Sequence, residues 1–384
     1  MIIEQEISEI TIGAYVVDIV QQRGQHTLAN SGWVNTESII QSLLLKGIQR
    51  VRIDTSKQRP PALSIDEPLT FNQQVTKGKV IFEQSKVILR KLFEDLRAGI
   101  LLELAPIKEI TNESIDVIFE YPDALAFVIN LRKKDDYLLE HSVAVSILIT
   151  IFARYLHLNK ETTKELAIGA FLHDVGKLKM PDSILNKSGK LTASEYNIVK
   201  THVYESIDSL CETTDIADLS LEVVALHHET LNGTGYPKGL SAVNISIYGR
   251  MIAICDIFDA LTASRCYKGS YPHVKAFRIL RELAQDGQLD AQLVDSFIKC
   301  MGVYPVGSIV KLNSNRLAIV TSRNQHQSIK PNVRVFYNLD NNSFEVAQCI
   351  DLSISGQPKI VRSVKVDDYN LNMQQVVKFL ETSY

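Results

Sequence analysis

Apolar spacing divides the chain into stretches of different character. In residues 1–56, the β-branched run Tyr15-Val16-Val17-Asp18-Ile19-Val20 follows a break at Gly13 and reads as strand. Thr36 can cap a helix whose Ile39, Ile40, Leu43 and Leu44 make one apolar face before Gly47, and Val51 and Ile53 then alternate as a strand. No chemical motif falls here, so these residues read as a small α/β regulatory or docking domain. Residues 57–110 read as a linker followed by a long helix: Pro60, Pro61 and Pro68 keep the first part irregular. Between residues 74 and 104, Val80, Ile81, Leu89, Leu92, Phe93, Leu96 and Ile100 recur at helical spacing, with Pro106 as the expected stop. A helix that long exceeds the usual three to four turns. It either packs along its own domain or pairs with a second copy as a homodimer.

Residues 111–300 read as almost entirely helical. Helices over 141–155 and 161–172 precede His173-Asp174, and Thr192-Ala193-Ser194-Glu195 is a capping box opening a helix that carries His202. A helix over 221–225 runs into His227-His228-Glu229, and one near 247–263 carries Asp256. From 301 to 384 the pattern turns to short strands: 310–312 and 317–320 flank Asn313-Ser314-Asn315, and 333–337 and 344–346 flank Asn341-Asn342. An amphipathic helix over 373–380 closes the chain. The expected fold is therefore multidomain and mainly α, with a helical central domain between a small N-terminal α/β domain and a small β-rich C-terminal domain.

Composition narrows the class. A hydrophobic content of 45% and charged content of 22% are ordinary for a globular protein. A net charge of −3 gives no basis for binding polymeric nucleic acid. Five scattered cysteines without a Cys-x-x-Cys fit reduced thiols in the cytoplasm. The start lacks a signal peptide, and the most apolar window, 143–153, is expected to be too short to span a membrane.

Residues 171–177 read Phe-Leu-His-Asp-Val-Gly-Lys, an imidazole and a carboxylate side by side ahead of a glycine and a cation. Of nine histidines, six fall within 141–228. Taken singly each reads as a core or surface residue, and His157 reads as a bystander. Five imidazoles joined by Asp174 and Asp256 suit two divalent metals better than one. His141, His173, Asp174 and Asp256 are assigned to one ion, and His202, His227 and His228 to the second, with Asp174 bridging. His26, His273 and His326 lack such partners and are expected to be solvated.

His173-Asp174-Val175-Gly176-Lys177, His202, His227-His228-Glu229, Asn232-Gly233-Thr234-Gly235-Tyr236-Pro237 and Asp256-Ile257-Phe258-Asp259-Ala260-Leu261-Thr262 with Arg265 and Tyr267-Lys268 together resemble the HD-GYP phosphodiesterases over about residues 125–300. Residues 1–55 more weakly resemble the small domain often found ahead of such a catalytic domain. The resemblance implies an all-helical HD-type catalytic domain and hydrolysis of a bacterial second messenger, cyclic di-GMP, to pGpG and onward to GMP. Carried over by position, the metal ligands are His141, His173, Asp174, His202, His227, His228 and Asp256. Lys177, Arg265 and Lys268 match positions that contact substrate phosphate, and Gly235, Tyr236 and Pro237 border the site. The implied cofactors are two ions, iron or manganese ahead of nickel or zinc, with signalling proteins as further partners.

Two departures from the family matter. Tyr137 stands where some members carry a glutamate that supports a third metal, so two ions are expected. Cys266 stands where proline is usual, which bears on the loop holding Lys268. Two metals about 3.5–4 Å apart would bind the phosphodiester, activate a bridging water and stabilise the leaving oxygen. The rival substrate is 3′,3′-cyclic GMP-AMP, and the rival class is an inactive cyclic-dinucleotide sensor, whose mark would be lost ligands.

Overall fold

The computed structural model describes residues 2–11, 13–22, 32–34, 40, 43–44, 47–57, 69–131, 137–185, 187, 189–213, 215–263, 271–324 and 327–382. Contacts divide the chain into two units, Met1–Thr70 and Phe71–Tyr384.

The first unit is built on a four-stranded antiparallel sheet of β1 (Ile2–Glu6), β2 (Tyr15–Gln22), β3 (Gly32–Trp33) and β4 (Ile48–Asp54), in the order β1-β4-β2-β3. Val51 and Ile53 alternate inward from β4 and pack with Ile7, Val16, Val34 and Ile40 in a small separate core. Thr36 and Ile39 of the expected helix, and Pro60, Pro61 and Pro68 of the expected linker, lie outside the described residues.

The second unit is mainly helical. Its first helix, α1 (Phe71–Arg97), is shorter than the spacing predicts. The chain turns at Gly99, whose φ of 72° suits a residue without Cβ. Pro106 does not stop a helix; it sits in the first turn of α2 (Ala105–Glu120), where its missing N–H would have no partner anyway. Of the two placements open to α1, the structure shows packing within its own unit. Phe82, Leu89 and Phe93 are buried, and Gly78 lies close against Val128 and Leu125 of α3 (Pro122–Leu131).

At the centre runs α4 (Tyr137–Tyr155), buried continuously from Leu139 to Ala153. With 19 residues it is long and apolar enough to cross a membrane, which corrects the expectation from the shorter window. Its apolar span is 83% buried inside the protein. A helix surrounded by other helices needs no polar face. α5 (Lys160–Leu172) starts at Asn159, whose side chain caps Thr162 N, and lies close to α9 (Asp218–Leu226). At Gly169 a Cβ would fall 2.7 Å from the Ser220 carbonyl oxygen and from Val223 Cβ. Between them come a 3-10 turn (Val175–Lys179), the short α6 (Asp182–Leu185), α7 (Ala193–Lys200) and α8 (His202–Cys211). The predicted capping box at Thr192 and Glu195 is present, but the single helix expected to carry His202 breaks at Thr201. α10 (Ile247–Thr262), α11 (His273–Gln285) and α12 (Ala291–Met301) complete the bundle. His273 is not solvated: it is half-buried, with Nε2 2.8 Å from Asn130 Oδ1 and its ring against Phe258.

Both predicted hairpins form, with Asn315 (φ 57°) and Asn342 (φ 52°) in the left-handed region that asparagine tolerates. β5 (Ile309–Leu312), β6 (Arg316–Ser322), β7 (Asn332–Asn338), β8 (Ser343–Asp351) and β9 (Ile360–Val364) form an antiparallel sheet ordered β8-β7-β6-β5-β9, and α13 (Met373–Thr382) follows. β9 has no counterpart in the sequence reading. Leu317, Ile319, Val335 and Phe336 share one hydrophobic core with the helices, and Arg323 Nε meets Asp123 Oδ1 at 2.8 Å.

Asp290 caps α12, accepting from Gln292 N and Leu293 N at 3.0 Å and pairing with Arg250 Nη1 at 2.9 Å. Burial opposes its ionisation, but the Leu293 N–H and the Arg250 guanidinium outweigh it and hold the carboxyl below its usual value. A folded-state pKa below the unfolded one stabilises the protein above the unfolded pKa, and that stability is lost as pH falls through the folded pKa. Asp290→Ala should cost about 1–2 kcal/mol at pH 7 in denaturant melts. The difference from wild type should shrink as pH falls below the carboxylate range.

Candidate active site

Five elements deliver the chemistry-bearing side chains to one buried point. His141 sits in the second turn of α4, His173 and Asp174 follow α5, and His202 opens α8. His227 and His228 follow α9, and Asp256 lies within α10. Six of these are buried and His228 is half-buried.

Helix ends explain why histidine works here. The last carbonyls of a helix run short of in-helix donors. Three histidines use them: Nδ1 lies 2.7 Å from the carbonyl three residues back, His173 to Ala170, His202 to Val199 and His227 to Val224. Donation through Nδ1 fixes the tautomer and points the Nε2 lone pair inward. His141, away from a helix end, uses a side chain instead, with Nδ1 2.8 Å from Asp259 Oδ2.

The Nε2 atoms gather about Asp174. Its Oδ1 is 3.3 Å from His202 and 3.9 Å from His227, while its Oδ2 is 3.3 Å from His173 and 3.7 Å from His141. Asp256 Oδ1 lies 3.0 Å from His141 Nε2, and its Oδ2 lies 3.5 Å from His228 Nδ1. The potential ligand atoms fall into two groups, Asp174/His202/His227/His228 and His141/His173/Asp256, each within 4.8 Å. His173 Nε2 and Asp174 Oδ1 are buried and make no hydrogen bond. His202 and His227 turn their Nε2 atoms to within 3.2 Å of each other. With Nδ1 holding the proton on both rings, two lone pairs face one another there. Orphaned donors of this kind fit a divalent cation and little else.

Electrostatics agree. Burial pushes His202 down to about 4 and His228 to about 3, and holds His227 well below its ordinary value, so all three are neutral at pH 7. Burial also opposes the charge on both carboxyls, yet they stay ionised. His173 and Lys177 lower Asp174, and the hydrogen bond from His141 lowers Asp256. His141 resists burial because Asp256 and Asp259 flank it, raising it to about 9. That proton is one a bound cation would displace.

Neighbouring residues set the approach of the elements. A Cβ on Gly176 would lie 2.1 Å from the His202 carbonyl oxygen and 2.5 Å from Ser206 N. The Gly176 N–H donates to Ser206 Oγ at 2.8 Å, and that hydroxyl donates to the His173 carbonyl at 3.0 Å. The Gly-Tyr-Pro loop is tied down by the buried Glu229, which accepts from Lys238 N (2.7 Å) and Leu240 N (2.8 Å). Gly235 lies against the backbone of 228–230, and the Tyr236 ring covers His228 with centroids 4.6 Å apart. Pro237 accepts a 3.4 Å hydrogen bond from the Tyr204 hydroxyl. Lys177 Nζ stands 2.5 Å from Asp174 Oδ2. Tyr137 stacks parallel on His141 at 5.6 Å, and exposed His157 joins neither group. Arg265, Cys266 and Lys268 lie outside the described residues, as do His26 and His326.

Sequence reasoning missed the supporting roles of Asp259, Ser206 and Glu229. Asp259 carried a signal, being one turn beyond Asp256 on the same helix face. Ser206 stands one turn after His202, but nothing in the pattern marks its two hydrogen bonds.

The helical fold and the two-group His/Asp cluster define a metal-dependent phosphohydrolase of the HD class. Residues 127–293 match the HD domain family, and residues 2–107 match a domain of unknown function (DUF3391), a stretch running past residue 56 through α1. Over 370 residues the chain is 30% identical to cyclic di-GMP phosphodiesterase PA4108 of Pseudomonas aeruginosa, covering 91% of this chain and 89% of that protein. Over 166 residues it is 37% identical to 3′3′-cGAMP-specific phosphodiesterase 1 of Vibrio cholerae, covering 43% of this chain and 38% of that one. The solved structure of Bd1817, an HDG"Y"P protein from Bdellovibrio bacteriovorus, matches in fold with a TM-score of 0.51 at 18% identity, over 77% of this chain and 98% of that one. The chain belongs to the HD-GYP family.

Gly176→Ala should force α8 away from the turn that carries Asp174. An overpacking cost of about 1–3 kcal/mol in denaturant melts is expected, together with reduced metal content by elemental analysis. Wild-type stability with full metal would show that this contact does not set the spacing.

Proposed function

We propose that the chain hydrolyses cyclic di-GMP to linear pGpG, with GMP as the product of onward cleavage. The observation that carries this reading is the partition of seven ligand atoms about Asp174, whose two oxygens face different histidine groups. The substrate reading draws on the near full-length likeness to the P. aeruginosa cyclic di-GMP phosphodiesterase. His141, His173 and Asp256 would hold one divalent ion and His202, His227 and His228 the second, with Asp174 shared. A nitrogen-rich donor set suits a transition metal over magnesium, and the family resemblance puts iron or manganese ahead of nickel or zinc. Tyr137, in the place of a third-site glutamate, supports two ions rather than three.

When bound, such ions supply Lewis-acid activation of phosphate and water. The chain's own residues do the rest. Asp259 and the carbonyls of Ala170, Val199 and Val224 hold the imidazoles in the donor tautomer. Lys177, together with Arg265 and Lys268, offsets charge gathering on the non-bridging phosphate oxygens. Gly235, Tyr236 and Pro237 wall the site beside His228. No separate side-chain base is assigned.

A second substrate, 3′,3′-cyclic GMP-AMP, has the partial likeness to the V. cholerae relative in its favour. The sensor reading has no lost ligand to support it.

Metal-loaded protein, purified without oxygen and given each dinucleotide in turn, should turn over cyclic di-GMP with the higher kcat/KM. No turnover of cyclic di-GMP, or a clear preference for cyclic GMP-AMP, would reverse the ranking. The double variant His173→Ala, Asp174→Ala should show no measurable turnover and depleted metal. Near-normal rates in it would sink the site assignment.

A further inference from the structure

One wall near the metal ligands is built from a helix with no part in the core. None of the eight residues of α7 is buried. A helix this short is unstable by itself in water. α7 is held at its start by the Thr192/Glu195 box and by Lys187 Nζ, 2.7 Å from Glu195 Oε2. It carries Tyr196, 47% exposed, whose ring lies 6.3 Å from that of Tyr236 at an interplanar angle of 82°. Tyr236 in turn lies 4.6 Å from His228 and 6.2 Å from His202, centroid to centroid. One turn on, Lys200 sets its Nζ 5.3 Å over the Tyr196 ring, a cation–π contact that favours this rotamer. A single exposed tyrosine needs no explanation. Here the ring is the outer member of an aromatic chain running to two metal ligands, on a helix with no fully buried residue.

We propose that Tyr196, with Tyr236 set perpendicular beside it, forms the stacking platform for one purine base of the substrate. This rests on the cyclic-dinucleotide reading above. A cyclic dinucleotide held by a phosphate near Asp174 projects a base to each side, and the Tyr236–Tyr196 corner offers one of them an aromatic face. Stacking uses the π-face that every base has, so the platform accepts guanine and adenine alike. It contributes affinity and leaves discrimination between the two to other contacts.

The test compares wild type, Tyr196→Ala and Tyr196→Trp as manganese-loaded protein. Tyr196→Ala should raise KM about tenfold, by a similar factor for cyclic di-GMP and cyclic GMP-AMP, with metal content and melting temperature held. Tyr196→Trp should restore the wild-type KM. A KM within twofold of wild type in Tyr196→Ala, or a tryptophan variant no better than alanine, overturns the proposal. Should wild type cleave neither dinucleotide, the substrate reading falls separately, and calorimetry with GMP decides the platform. Binding that weakens in Tyr196→Ala upholds a purine platform; binding that is absent or indifferent to Tyr196 overturns it.

Discussion

The structure depends on keeping one carboxylate, Asp174, ionised in a place with no solvent exposure. A buried charge is tolerated only where opposite charge and hydrogen-bond donors replace water. Lys177 meets one oxygen, and histidine nitrogens from four elements crowd both. That requirement explains the close approaches around it. Gly176 lets α8 lie on the turn carrying Asp174, and Gly169 lets α5 lie on α9. A methyl group at either position would separate elements that must end together.

The same demand sets side chains of the cluster against one another. His202 and His227 face each other through unprotonated nitrogens, and His141 holds a proton between Asp256 and Asp259. Natural folds accept such local conflict at functional sites, where a ligand relieves it. The continuous apolar burial of α4 and the core shared with the C-terminal sheet offset the cost. The sheet belongs to the same continuous core as α4.

Much of the site was legible because its parts are local. His173-Asp174 and His227-His228 are adjacent in sequence, and each sits just past an apolar run that ends in a loop. The capping box at Thr192 and the asparagine turns of the two hairpins follow from short-range chemistry that survives in any context. What stayed hidden depends on distance along the chain. The bond from His141 to Asp259 joins residues 118 apart, and β9 pairs with β5 across the whole sheet sequence. Pro106 misled for a different reason. Proline both ends and begins helices, and only the turn at Gly99 decides which. The apolar window 143–153 fell short of α4 because Glu140, His141 and Arg154 bound it, although Glu140 and His141 are buried within the helix. Within the helix Ser146 donates to the Ala167 carbonyl and Thr150 to the Ser146 carbonyl, so both are compatible with full burial.

Burial also separates two tasks. The clustered histidines stand on or just beyond helices anchored in the main core, so their geometry is set by packing that also holds the fold. The aromatic wall stands on α7, which shares no buried residue with that core. α7 reaches the cluster through one backbone atom, the Val199 carbonyl 2.7 Å from His202 Nδ1, and a side-chain change at Tyr196 leaves that carbonyl in place. Tyr236 joins the two regions, because its ring touches His228 on one side and Tyr196 on the other. Its position is fixed by Glu229 through the loop backbone, immediately after the last two histidine ligands. The loop that follows His227-His228 thus ties the placement of Tyr236 to the placement of those two histidines.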